Sequence, residues 1–185
     1  MKKALMIMVI LLLPAMILAG GIFGELGLGY RTLSDSSLNE VYGSGAMQLS
    51  FGIGMKIGHP FTVLLEGGYY RNAGKTTGLE EATTMSYIPF MLKGRYNFVA
   101  GEGLRPFAGV GVGYIAYRVD NESEGLEDVS EGSFGMEAEA GVCYRFQNKV
   151  GLVLKAGYLY SKAKPFGVER NLGGLLFSAG VRVKF

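Results

Sequence analysis

The chain has 185 residues, 49% apolar and 18% charged, with 30 glycines, one cysteine, one histidine and no tryptophan, which bounds it to one domain with a substantial core. A lone cysteine and a lone histidine exclude an internal disulfide and a His- or Cys-rich zinc site. The formal charge is +2, and setting aside Lys2 and Lys3 leaves 16 basic against 16 acidic residues, so the overall balance does not call for nucleic acid. The glycine content is too high for a helical protein and carries no collagen-type repeat.

Residues 1 to 21 (MKKALMIMVILLLPAMILAGG) combine two lysines, an apolar run from Ala4 to Leu13, a break at Pro14 and small residues after it. This is the pattern of a helical secretory signal peptide, with cleavage after Ala19 or Gly21. The run is short for a spanning helix, and no later stretch is long and apolar enough to be one.

From Ile22 onward apolar residues recur at every second position, the period of a strand. Residues 22 to 31 set Leu26, Leu28 and Tyr30 against Glu25, Gly27, Gly29 and Arg31. Residues 46 to 57 set Leu49, Phe51, Ile53, Met55 and Ile57 against Gln48, Ser50, Gly52, Gly54 and Lys56. The third run, 61 to 71, opposes Phe61, Val63, Leu65 and Tyr69 to Thr62, Leu64, Glu66, Gly68 and Tyr70. The fourth, 86 to 96, opposes Ile88, Phe90, Leu92 and Tyr96 to Pro89, Met91, Lys93 and Arg95.

The fifth, 105 to 117, places Ala108, Val110, Val112 and Tyr114 opposite Gly109, Gly111 and Gly113. The sixth, 133 to 146, places Phe134, Met136, Ala138, Ala140, Val142, Tyr144 and Phe146 opposite Gly135, Glu137, Glu139, Gly141, Cys143 and Arg145. The seventh, 150 to 160, and the last, 175 to 185, repeat the pattern with Lys155 and Arg182 on the polar side. Strands of about ten residues match the length needed to cross a bilayer at a tilt.

Alternation alone fits a soluble barrel with an apolar interior as well as a membrane barrel with an apolar exterior. The second is favoured by a large continuous apolar face, by an opposite face of glycines and single charges suited to a narrow lumen, by the export signal, and by the absence of tryptophan. The expected fold is therefore all-β, an eight-stranded antiparallel up-and-down transmembrane barrel over residues 22–185.

Long polar connections (32–45, 72–85, 118–132, 161–174) alternate with short ones (58–60, 97–104, 147–149). Long outer loops and short inner turns place both termini on the periplasmic side. That orientation puts Tyr30, Tyr42, Tyr69, Tyr70, Tyr87, Tyr114, Tyr117, Tyr158 and Tyr160 at an outer aromatic girdle, and Phe23, Phe61, Phe98, Phe107, Phe146 and Phe185 at an inner one.

The eight strands, the segments SYIPFMLKGRYNF (86–98) and RPFAGVGVGY (105–114), and the final strand ending in Phe185 resemble the small outer-membrane barrels of the OmpA, OmpX and OmpW type. The resemblance spans the whole mature chain at the level of pattern. It implies an outer-membrane location in a two-membrane bacterium, contact with outer-membrane lipid, and recognition of the terminal strand by the outer-membrane assembly machinery. Phe177, Val181, Val183 and Phe185 fit that assembly signal. The OmpW-type likeness also admits a narrow porin-like passage for small or apolar solutes.

The inward face carries Glu25, Glu66, Lys93, Arg95, Glu137, Glu139, Arg145, Lys155 and Arg182, with Arg31, Lys56 and Lys184 nearer its ends. An eight-stranded interior is just wide enough to be filled by side chains, so these charges are expected to pair into a plug, with a gated ion path as the sharper alternative. No enzyme is expected. His59 lies in a short turn away from the outer rim, Glu137 and Glu139 sit amid bases, and Cys143 reads as a small buried filler. GKT within residues 72–77 lacks the rest of a phosphate-binding loop, and GVGVGY lacks dinucleotide-fold spacing. No cofactor or resident metal is implied. The acidic loop 118–132, with Asp120, Glu122, Glu124, Glu127, Asp128 and Glu131, is a solvated loop or a surface site for a divalent cation or basic partner. The leading reading is a non-catalytic barrel with a charge-paired lumen and surface-exposed loops, in a structural role or one of surface interaction with a ligand met by the loops; behind the narrow passage, a lipid-modifying barrel enzyme is the last alternative.

Overall fold

The computed structural model describes residues 21–75, 82–98, 103–121, 129–146, 149–163 and 170–185. Residues 1–20 of the expected signal peptide and the acidic residues Glu122, Glu124, Glu127 and Asp128 lie outside them. The elements are β1 (Ile22–Thr32), α1 (Ser36–Tyr42), β2 (Gly45–Lys56), β3 (Phe61–Lys75), β4 (Ala82–Asn97), β5 (Leu104–Asn121), β6 (Val129–Arg145), β7 (Val150–Ala163), the two-residue β8 (Arg170–Asn171) and β9 (Gly174–Lys184).

Every pairing is antiparallel, β1 through β7 pair in sequence, and β9 lies between β7 and β1. The sheet thus closes on itself as an eight-stranded barrel, with β8 a short addition to the end of β7. Closure leaves no unpaired edge along the apolar belt among the described residues, which a backbone surrounded by lipid requires. Among the described residues no helix is long and apolar enough to cross a membrane.

The alternation decides which side chain faces which medium. Leu26 is 60% exposed and stands in register with Phe51 on β2 and Val181 on β9, both also exposed, so neighbouring strands extend one apolar belt. Ile53, Leu65, Phe90, Val112, Met136 and Leu154 belong to the same belt. Met55 departs from the expected outward set and is buried near the end of β2.

Four of the paired strands run further than hydropathy suggests: β3 reaches Lys75, β4 begins at Ala82, β5 reaches Asn121 and β6 begins at Val129. Above the apolar belt the outward positions turn polar. Arg71, Ser86, Arg118 and Ser130 form one register row across four strands. Backbone pairing does not need apolar side chains, so the hairpins continue past the point where the belt stops.

The connection after β1 contains α1, which the sequence reading takes as loop. Its first turn is capped by Asp35, whose carboxylate accepts from the Ser37 and Leu38 amides at 3.0 and 3.3 Å. Gly43, at φ 75°, ends it in a conformation that favours glycine. Leu38, Val41 and Tyr42 turn toward the barrel and pack on its buried cluster.

Glycine on the inward face of β5 makes room for the long side chains of β4. A Cβ at Gly111 would meet Lys93 Cγ at 2.7 Å and the Leu92 carbonyl at 3.0 Å, and one at Gly109 would meet Arg95 Cγ at 2.9 Å. Gly111→Val is therefore expected to destabilise the barrel by about 1–3 kcal/mol. Gly94→Ala, where a Cβ meets nothing within 4 Å, should leave it unchanged. The temperature at which the folded, heat-modifiable band is lost on a gel reads the difference.

Candidate functional site

The lumen is built in layers. At the loop end it is apolar and aromatic: Tyr42, Tyr70, Met85, Tyr87, Met91, Ile115, Tyr117 and Leu159 are buried in one cluster. Tyr70 and Tyr87 stack with ring centroids 4.5 Å apart. Tyr42 shares a 3.2 Å hydrogen bond with Thr83, and Asn72 donates to the Tyr42 carbonyl at 2.6 Å, so α1 is tied over this end. Burial pushes the Tyr42 phenol above its ordinary pKa, opposed in part by the bond to Thr83.

This layer corrects the expected outer girdle. Tyr42, Tyr70, Tyr87 and Tyr117 are buried and face inward, whereas Tyr30, Tyr69, Tyr114, Tyr158 and Tyr160 are exposed on the outer side. Strand parity explains the division, since Tyr87 shares its face with Lys93 and Tyr117 with Ile115. Likewise Phe23 and Phe107 leave the inner girdle and turn into the lumen, beneath the guanidinium groups of Arg182 and Arg95 at 4.4 and 4.7 Å.

The middle layer is ionic. Lys93 Nζ donates to Glu66 at 2.9 Å, Glu137 at 2.6 Å and Glu139 at 3.0 Å, which uses all three of its protons. Arg95 donates through Nη1 to both oxygens of Glu25 at 2.8 and 2.9 Å, through Nε to Glu139, and lies 3.7 Å from Glu66. Lys155 pairs with Glu66 and lies 3.9 Å from Glu139. Arg182 donates to Glu25 at 2.6 Å.

Two sequence assignments shift. Arg31, expected near the end of its face, is buried, donates to Gln48 and lies 3.8 Å from Glu137. Arg145, expected in the charge network, instead lines a cavity at the mouth where the termini lie, away from the carboxylates of the middle layer. Parity told both residues' side; depth depends on the stagger between strands, which the sequence does not display.

Below the ionic layer Phe107, Cys143 and Val153 form a small buried cluster, so Cys143 is the apolar filler that its surroundings suggest. His59 is exposed in the turn between β2 and β3. The terminal segment lies on the outside: Phe177, Val181, Val183 and Phe185 are all exposed in line with the apolar belt.

A family model described as the outer membrane protein beta-barrel domain matches residues 5–185. The chain belongs to this family. Its place is accordingly the outer membrane, and the exposed apolar belt is the surface that meets lipid. Neisserial surface protein A superposes with a TM-score of 0.70 at 20% identity, covering 90% of this chain and 99% of its own. OprG, an outer membrane protein of Pseudomonas aeruginosa, gives 0.72 at 17%, covering 90% and 97%. Ail, the attachment invasion locus protein of Yersinia pestis, solved with the heparin analogue sucrose octasulfate, gives 0.55 at 12%, covering 89% and 99%. At these identities the likeness is one of fold. No curated protein matches the chain in sequence.

Lys93 holds three carboxylates of this outer-membrane barrel together. Lys93→Met would leave Glu66, Glu137 and Glu139 crowded without their shared cation, and is expected to cost about 3–5 kcal/mol. Arg145→Gln, outside the network, should change stability by less than about 0.5 kcal/mol. Urea unfolding in detergent, followed by tyrosine fluorescence, compares the two.

Proposed function

We propose that the protein is a non-catalytic outer-membrane barrel with a closed lumen, whose loop end serves surface interaction. The observation that carries this reading is the stacking of two seals in one narrow passage: the Lys93 ionic layer and, beyond it, the aromatic plug under α1. Closure removes a transport role for the barrel axis and leaves the loop end as the working surface. The named surface role of Neisserial surface protein A and the heparin analogue bound by Ail support a surface ligand for the loops here.

In this reading residues 1–21 are an export signal, both termini face the periplasm, and Phe177, Val181, Val183 and Phe185 present the strand that the assembly machinery reads. Of the nine charged residues, Glu25, Glu66, Lys93, Arg95, Glu137, Glu139, Lys155 and Arg182 serve structure rather than conduction as the plug, and Arg145 stands apart from them at the mouth.

Purified protein in planar bilayers is expected to show no reproducible unitary conductance. A steady wild-type channel would replace the closed reading with the narrow-passage alternative. Orientation is checked in intact cells with a membrane-impermeant maleimide, because Cys143 is buried. Ser36→Cys on exposed α1 should label and His59→Cys should not; the opposite result inverts the topology.

A further inference from the structure

The cavity at the terminal mouth has a charge pattern unlike the rest of the lumen. It encloses about 510 Å³ and is lined by Lys56, Arg105, Arg145, Lys149, Arg182 and Lys184, with no aspartate or glutamate among its described lining residues. Of the six cations only Arg182 has a carboxylate partner, Glu25; the other five have none within 4.0 Å among the described residues. In the ionic layer just above, every cation is paired.

Lysine and arginine near a membrane boundary commonly extend along the lipid face toward headgroups. Strand parity opposes that explanation here. Lys56 follows the face of Gly52 and Gly54, Arg105 that of Phe107, Arg145 that of Cys143, and Lys184 that of Arg182, all directed to the interior of the barrel. Like charges gathered around one concavity repel, and nothing in the strand pairing requires charge at these positions. A concave wall of one sign backed by low-dielectric sheet and lipid concentrates counter-ions. The enclosed volume lies within the range of small-ligand sites.

We propose that the terminal mouth is a vestibule that binds an anionic phosphate group, either of a soluble phosphorylated compound or of an anionic phospholipid. Arg105 and Arg145 supply planar donor forks suited to phosphate oxygens. Lys56, Lys149 and Lys184 supply the surrounding point charges. The site is independent of the loop end and of the closed-lumen reading, because it needs only the mouth itself.

Calorimetric titration of the full, folded chain in dodecylmaltoside with inorganic tripolyphosphate is expected to give saturable 1:1 binding that weakens steeply with salt. Arg105→Gln/Arg145→Gln should lower the affinity about tenfold or more, which is about 1.4 kcal/mol. Arg71→Gln/Arg118→Gln, at the opposite end, should leave it unchanged. Heat-modifiability of each variant confirms that the barrel is intact. Repeating the titration in phosphatidylcholine nanodiscs with and without phosphatidylglycerol identifies the source. Competition by phosphatidylglycerol supports a lipid headgroup, and unchanged affinity supports a soluble phosphate. Absence of tripolyphosphate binding, or equal weakening by both variant pairs, overturns the proposal. Because binding is measured in detergent, its failure is separate from failure of the topology tested by cysteine labelling.

Discussion

One ammonium group organises the interior. Lys93 Nζ, fully buried, is shared by Glu66 from β3 and by Glu137 and Glu139 from β6. All three are shared again, Glu66 and Glu139 with Lys155 and Arg95 and Glu137 with Arg31, and Arg95 passes the connection to Glu25 and Arg182. Bringing any one of these charges out of water costs several kcal/mol, and only mutual satisfaction makes the set tolerable. The narrow eight-stranded barrel imposes this arrangement, since its lumen admits side chains but little solvent. The small residues of β5 follow from it: Gly109 and Gly111 lie where the stems of Arg95 and Lys93 cross the lumen.

The outer surface answers to a different solvent. Leu26, Phe51 and Val181 face lipid in one register row, where exchanging one apolar side chain for another matters less than placing a charge. Further along the strands, Arg71, Ser86, Arg118 and Ser130 mark where that solvent ends. The same hydrogen-bonded sheet thus passes through two media, with side-chain chemistry rather than backbone pairing recording the boundary.

Much of this is legible in the sequence because a period of two sets the side of nearly every strand residue, Met55 near the end of β2 being an exception. Parity assigns Glu25, Glu66, Glu137 and Glu139 to the lumen, and the lumen holds them. Parity also contains the answer for Tyr70, Tyr87 and Tyr117, whereas residue type alone, an aromatic near a membrane boundary, points to the girdle. Depth was not legible. Arg31 and Arg145 sit on inward faces alike, and the stagger of the strands sends the first into the ionic layer and the second to the mouth. α1 was missed because seven residues are too few to show a helical period; Asp35 before it and Gly43 after it were its only local marks.

The ionic layer also bears on how the barrel comes together. Its partners are far apart along the chain: Lys155 and Glu66 are separated by 89 residues, and Arg182 and Glu25 by 157. Glu25 belongs to the first strand and Arg182 to the last, so their pairing waits for the seam between β1 and β9. Until that seam forms, an open sheet can keep these charges hydrated. Completing the dehydration and pairing of the layer therefore depends on this non-local closure, the kind of contact that loop entropy makes slow to form. Reopening the seam must undo both at once, which gives the finished barrel a persistence in time beyond what its equilibrium stability alone would supply.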